Sequence, residues 1–134
     1  MKKTRKQEVR RRFREAVFKR DGYRCVMCGF QSSSELAEHE LDAHHITPRE
    51  DIPHGGYVKE NGITLCDPTK SGGKLVDGCH YKAEDRLKAE GEWERLGKPL
   101  RPHEGLWGEY SPIELYRKIY SSYEEALAAS EFLK

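Results

Sequence analysis

Four cysteines restrict what this chain can fold into more than any other feature. Cys25-Val26-Met27-Cys28 is a tight pair, and Cys66 and Cys79 follow with twelve residues between them. Two thiolates from such a knuckle can reach one ion, and Cys66 and Cys79 can complete a tetrahedral sulfur cage. A closed four-thiolate cage has no open position for substrate, so the ion it suits is a structural zinc. The competing reading is four buried thiols without metal. A staple would be useful here. Across 134 residues, hydrophobic side chains make up 36% and charged ones 35%, so the expectation is one domain with a small core.

No apolar run approaches the roughly 18–20 residues of a membrane span. The basic N-terminus also lacks the apolar stretch of a secretion signal. A soluble, cytoplasmic setting is therefore expected, where reducing conditions favour metal over disulfides. The net charge of +1 points to no partner, but its distribution does. Residues 1–24 hold eleven Lys or Arg against Glu8, Glu15 and Asp21, a balance of +8, and the remainder balances at −7. A basic end on an acidic chain fits a phosphate-binding arm, and it fits a solvated helix face or a disordered tail equally well.

Hydrophobic periodicity places the elements. Residues 5–20 read as an amphipathic helix, with Val9, Phe13, Ala16 and Val17 on one face and Arg10, Arg11, Arg14 and Lys19 pointing outward. Asp21-Gly22 ends it, with Gly22 suited to the left-handed position after a helix. Ser34-Glu35-Leu36-Ala37-Glu38 can form a helical turn. Residues 41–46 and Ile63-Thr64-Leu65 are candidate strands, separated by a loop punctuated by Pro48, Pro53, Gly55 and Gly56. A Gly-rich loop over 67–78 then leads to a helix over 79–89. The order is ββα.

The C-terminal third carries less chemistry. Residues 91–110 are loop-like, with Trp93, Leu106 and Trp107 as small-core packing. Helices begin at Ser111-Pro112-Ile113-Glu114 and Ser121-Ser122-Tyr123-Glu124, each read as a capping box. The first carries Ile113, Tyr116 and Tyr120 and the second Ala126, Leu127 and Phe132, all read as core. The predicted class is a small α+β fold in one domain over 1–134. It has a basic helix at about 5–20, a ββα core at about 41–90 and C-terminal helices at about 111–134.

The chemistry-bearing stretches are Ala43-His44-His45-Ile46, Glu60-Asn61-Gly62-Ile63-Thr64-Leu65-Cys66 and Cys79-His80-Tyr81-Lys82. Adjacent histidines on a strand point to opposite faces, so they cannot easily bind one ion but can divide the labour. Successive helical residues point roughly 100° apart. Cys79 can therefore face the zinc while His80 faces the hairpin. With Phe18-Lys19-Arg20-Asp21-Gly22-Tyr23-Arg24-Cys25 as the entry to the knuckle, residues 12–88 resemble an HNH nuclease with a ββα-metal (His-Me finger) site and a four-cysteine zinc site. Ala-His-His-Ile and Asn-Gly-Ile-Thr-Leu-Cys look most like bacteriophage or prophage members. One departure stands out. Family members usually show a second tight Cys-x-x-Cys, whereas here 67–78 reads as an insertion between Cys66 and Cys79.

The resemblance implies roles. His44 and His80 would hold a catalytic Mg²⁺, Mn²⁺ or similar divalent ion, while His45 would act as general base on the attacking water. An imidazole with an unperturbed pKa of about 6.5 suits that task. Asn61, the middle letter of the motif, would be a structural clamp that ties the 47–60 loop and holds His45 in orientation, completing the catalytic set. Lys82 and Arg86 would lie against DNA. His39, His54 and His103 fit no motif position.

The implied activity is hydrolysis of a DNA phosphodiester to 5′-phosphate and 3′-hydroxyl ends. With one site and no base-reading module, it would nick double-stranded DNA with weak sequence preference, as a monomer or weak dimer. Phage relatives often act beside the terminase in genome packaging, so terminase is the implied protein partner. Two other classes compete: a non-catalytic zinc module binding nucleic acid, and a sequence-specific restriction-type HNH enzyme. The first would leave His44, His45, Asn61 and His80 unemployed.

Overall fold

Thr4 starts helix α1 (Arg5–Arg20) through a capping box: its hydroxyl accepts from the Gln7 N–H at 3.1 Å and its own N–H donates to Gln7 Oε1 at 2.9 Å. The computed structural model describes residues 4–68, 78–84 and 110–133. Phe13, Val17 and Phe18 form the buried stripe of α1, whereas Ala16, predicted on that stripe, is exposed. The chain bends towards the cysteine knuckle after Asp21, which buries the side of the last turn that carries Phe18. Gly22 takes the predicted left-handed conformation at φ +71°. Asp21 does more than stop the helix. Its carboxylate accepts from the Thr64 N–H at 2.9 Å and from Arg20 Nε at 2.8 Å, which ties α1 to the sheet.

The short helix α2 (Ala37–Glu40) runs directly into β1 (Leu41–His45). Antiparallel β2 (Gly62–Cys66) pairs with it in the register Leu41↔Cys66, His44↔Ile63 and His45↔Gly62. Ile46 lies just past β1, yet its N–H still donates to the Asn61 carbonyl at 2.9 Å. The connection between the strands is folded into three 3-10 turns, Arg49–Asp51, Pro53–Gly56 and Lys59–Asn61. Gly62 is where α1 meets the sheet. A Cβ there would stand 2.4 Å from Val17 Cγ2 and 2.8 Å from Phe13 Cε1, so the helix rests on bare backbone.

Helix α3 (Cys79–Glu84) follows the strands and completes the ββα order. The predicted continuation of α3 to residue 89, most of the 67–78 loop, and Trp93, Leu106 and Trp107 lie outside the described residues. Two helices close the fold, α4 (Pro112–Lys118) and α5 (Tyr123–Glu131). Ser111 caps α4 as predicted, accepting from the Glu114 N–H at 3.1 Å. The cap of α5 is Ser122, accepting from the Glu125 N–H at 3.1 Å, one residue later than predicted. Ser121 is otherwise engaged, donating its hydroxyl to the Glu60 carbonyl at 2.9 Å.

Leu115, Tyr116 and Ala126 join Phe18, Leu41, Ile46, Ile63 and Leu65 in the core. Ile113, Tyr120 and Phe132, predicted as core, are exposed. Helical spacing does not reach the last two: α4 ends at Lys118, Tyr120 sits at φ +57°, and α5 ends at Glu131. Among the described residues no helix is long and apolar enough to cross a membrane.

Candidate active site and metal centre

The knuckle folds because the Cys25 N–H donates to the Phe30 carbonyl and the Gly29 N–H returns to Cys25, both at 2.9 Å. The Val26 N–H, donating to the Thr64 carbonyl at 3.0 Å, pins the knuckle to β2. Cys66 ends β2 and Cys79 opens α3, so four separate chain positions converge. The Sγ atoms of Cys25, Cys28, Cys66 and Cys79 all lie within 4.8 Å of one another, with Cys28 and Cys66 3.6 Å apart. A tetrahedral ion with Zn–S bonds of about 2.3 Å places its sulfurs about 3.8 Å apart. The cage therefore fits zinc. The insertion does not prevent closure, since the Cys79 N–H donates to Cys66 Sγ at 3.4 Å.

Electrostatics in the cage favour a cation. A hydrogen bond from the Cys79 thiol is the main force drawing Cys25 down to about 4. Burial pushes Cys66 up to about 11, a backbone N–H from Cys79 works against that, and the charge on Cys25 adds to it. Cys79 is raised as well, first by donating to Cys25 and then by burial. Four sulfurs at this spacing ionise together only when a metal shares their charge.

The histidine doublet diverges as strand geometry requires. The His44 side chain is buried against α3, its ring centroid 5.3 Å from that of His80 with the planes at 68°. The His45 ring takes the other face, stacked on Phe13 at 4.4 Å and met edge-on by Tyr57 at 4.7 Å. A cavity of about 340 Å³ opens here, lined by all three histidines together with Arg10, Arg14 and Arg49. His80 is oriented from behind. Its Nδ1 lies 2.8 Å from Asp42 Oδ2 and 3.7 Å from Asp67 Oδ2. A bond from Nδ1–H to Asp42 leaves Nε2 with the lone pair that a metal needs. Asp42, Asp67 and His80 Nδ1 also lie within 4.8 Å of one another and form a second group able to hold a cation.

Residues 25–68 match the HNH endonuclease family model. The HNH segment thus contains Cys25, Cys28, His44, His45, Asn61 and Cys66, and stops short of Cys79 and His80. No curated protein and no solved structure matches the chain. Helices α1 and α3–α5 lie outside the HNH segment, yet α1, α3 and α4 each supply a side chain to the arrangement around the doublet.

Asn61 is fully buried and bridges both ends of the inter-strand connection. Its Oδ1 accepts from the Thr47 N–H at 2.9 Å, and its Nδ2 donates to the carbonyls of Thr47 and Gly56 at 3.1 and 3.2 Å. These are the bonds of a clamp on the 47–60 loop, directly after the strand that carries the doublet. A further bond from Tyr116 of α4 reaches the same Oδ1 at 2.7 Å.

Sequence reasoning missed Asp42, Phe13, Tyr57 and Tyr116. Asp42 was within reach, because it stands two residues before His44 and period-two alternation puts both on one strand face. Helical spacing gives Phe13 and Tyr116 as core residues. Neither it nor the loop sequence around Tyr57 shows that these side chains meet His45 and Asn61, which only the tertiary fold brings about. His39 and His54 are exposed. The Lys82 side chain, Arg86 and His103 lie outside the described residues.

Proposed function

We propose that this protein is a divalent-metal-dependent endonuclease that hydrolyses phosphodiester bonds in DNA, nicking one strand with weak sequence preference. The observation that carries the reading is the split of the doublet: His44 turned to His80, and His45 held between Phe13 and Tyr57 in the same cavity. In this reading His44 and His80 are metal ligands and His45 is the general base. A divalent ion held by these two imidazoles would supply positive charge for the phosphate oxygens and the departing 3′ oxygen.

The side chains of the chain do the rest. The Phe13 stack and the Tyr57 edge fix the plane of the His45 ring, so the nitrogen that accepts the water proton keeps one direction. Asn61 holds the loop beside it, and Asp42 keeps the His80 ring in one tautomer. Cys25, Cys28, Cys66 and Cys79 would hold a zinc ion that joins knuckle, β2 and α3 and so would fix the distance from His80 to the doublet.

The proposal takes the whole chain as one nuclease domain working in a bacterial cytoplasm. A role beside a phage terminase in packaging belongs to it too, on sequence resemblance alone. A plasmid-nicking assay with Mg²⁺, with Mn²⁺ and with EDTA tests the activity. Open-circle product with either ion and none with EDTA is expected. Intact supercoiled plasmid under all three conditions would reject the nuclease and favour a binding module.

A further inference from the structure

Two guanidinium groups, those of Arg10 and Arg49, line the cavity together with one phenol, Tyr57. Arg49 Nη1 donates to the Tyr57 hydroxyl at 3.1 Å, and Arg10 of α1 lines the same cavity. Arg10 and Arg49 are both exposed, so solutes can reach them. Two like charges beside a neutral oxygen repel each other, and an anion between them turns that repulsion into attraction. Burial alone would raise the Tyr57 phenol, yet the two guanidiniums outweigh it and hold the group below its ordinary value. The local field is therefore already arranged for negative charge.

The position of this cluster identifies the anion. The Tyr57 ring meets His45 edge-on at 4.7 Å and Phe13 at 5.6 Å, so the cluster stands one ring away from the residue read as the base. Arg14 lines the cavity as well, but it is paired with Glu38 at 2.9 Å. Glu50, the acidic residue of the lining, leaves the wall positive. Planar guanidinium forks match phosphate oxygens, and a phenol O–H can add a third bond.

We propose that Arg10, Arg49 and the Tyr57 hydroxyl form a cradle for a backbone phosphate of DNA next to the phosphate that is cut. The inference rests on the nuclease reading for its choice of ligand and adds a binding site that the HNH segment alone does not contain. Helix α1 then has two tasks. Phe13 steadies His45, and Arg10, three residues earlier, holds the strand.

Binding measured without cleavage tests the cradle. Fluorescence anisotropy with a short labelled duplex, in buffer free of added divalent ions and over a salt series, gives Kd and its salt dependence. Arg10→Gln and Arg49→Gln should each raise Kd roughly tenfold and reduce the salt slope by about one. Tyr57→Phe should weaken binding a few-fold with the slope unchanged. Arg49→Lys should keep the slope and recover part of the affinity, and it carries the test if a glutamine variant fails to fold.

Lys118→Gln, an equal charge change on exposed α4, should leave both quantities as in wild type. The cradle is overturned if the two glutamine variants bind as wild type, or if Lys118→Gln lowers the slope as much as they do. A protein that binds duplex through these residues but never nicks retains the cradle and loses the nuclease reading. One that nicks normally while its arginine variants bind unchanged loses only the cradle.

Discussion

The Tyr116 hydroxyl donates to Asn61 Oδ1 at 2.7 Å and takes a bond from the Thr47 hydroxyl at 2.6 Å, all in the interior. A helix outside the HNH segment thus holds the amide that clamps the loop after the histidine doublet. Burial raises the Tyr116 phenol, so it remains a protonated donor throughout the neutral range. Tyr116→Phe leaves an Asn61 lone pair and a Thr47 hydroxyl without this partner. The expected loss is about 1–3 kcal/mol of stability, read from denaturant melts, together with slower nicking. An unchanged melt would show that the clamp stands without α4.

His45→Ala should reduce nicking by a factor of roughly 10²–10⁴ while leaving the fold and zinc content intact. His45 packs on Phe13 and Tyr57 and is not part of the sulfur cage. Cleavage within a few-fold of wild type would remove it from the mechanism.

Asp42 and Asp67 both face His80 Nδ1, and metal titration separates their roles. If the ion sits between His44 and His80, then His44→Ala and His80→Ala abolish Mn²⁺ binding. Asp42→Asn should weaken it about 10–100-fold by loosening the ring, and Asp67→Asn should change it little. Calorimetry with Mn²⁺ reads all four. Lost binding in Asp67→Asn with binding retained in His44→Ala would move the ion to the Asp42–Asp67 side. Tightly bound zinc should persist in every one of these variants.

Cys25→Ser or Cys28→Ser should unfold the protein. Structural zinc contributes on the order of 10–16 kcal/mol in small domains, comparable with a whole domain's stability of about 5–15 kcal/mol. Elemental analysis of the wild-type protein should find about one zinc per chain. A cooperative melt in zinc-free protein contradicts the cage.

Gly62→Ala places a methyl group where Val17 and Phe13 already stand, 2.4 and 2.8 Å away. Destabilisation of about 1–3 kcal/mol is expected, the usual cost of overpacking. Because Phe13 must move and His45 stacks on it, nicking should fall even under conditions where the variant is fully folded. Normal activity in the folded variant would mean that the stack does not position the base.

Much of this arrangement is written locally. A helix over 5–20, a strand over 41–46 that carries the histidine doublet, a second strand at 63–65, and a helix opened by Cys79-His80 follow from periodicity, caps and motif spacing, with strand ends displaced by only one residue. Short-range rules suffice because each depends on residues at most a few positions apart. The divergence of His44 and His45 belongs here too, since alternation along a strand needs no partner to define it. Four cysteines in this spacing likewise announce one sulfur cage before any fold is known.

Other features exist only once the chain has closed on itself. Phe13 meets His45 because Gly62 lets α1 lie against the sheet, and Tyr57 reaches the same ring from the inter-strand connection, contacts invisible in any one segment alone. The exposure of Tyr120 and Phe132 follows from where α4 and α5 stop, which sequence spacing could not supply. Tyr116 reaches Asn61 across fifty-five positions, and Arg10 and Arg49 line one cavity from separate elements. Local propensity says nothing about such pairs. They are chosen by the packing of faces that each element presents to the others, and that packing is a property of the whole fold.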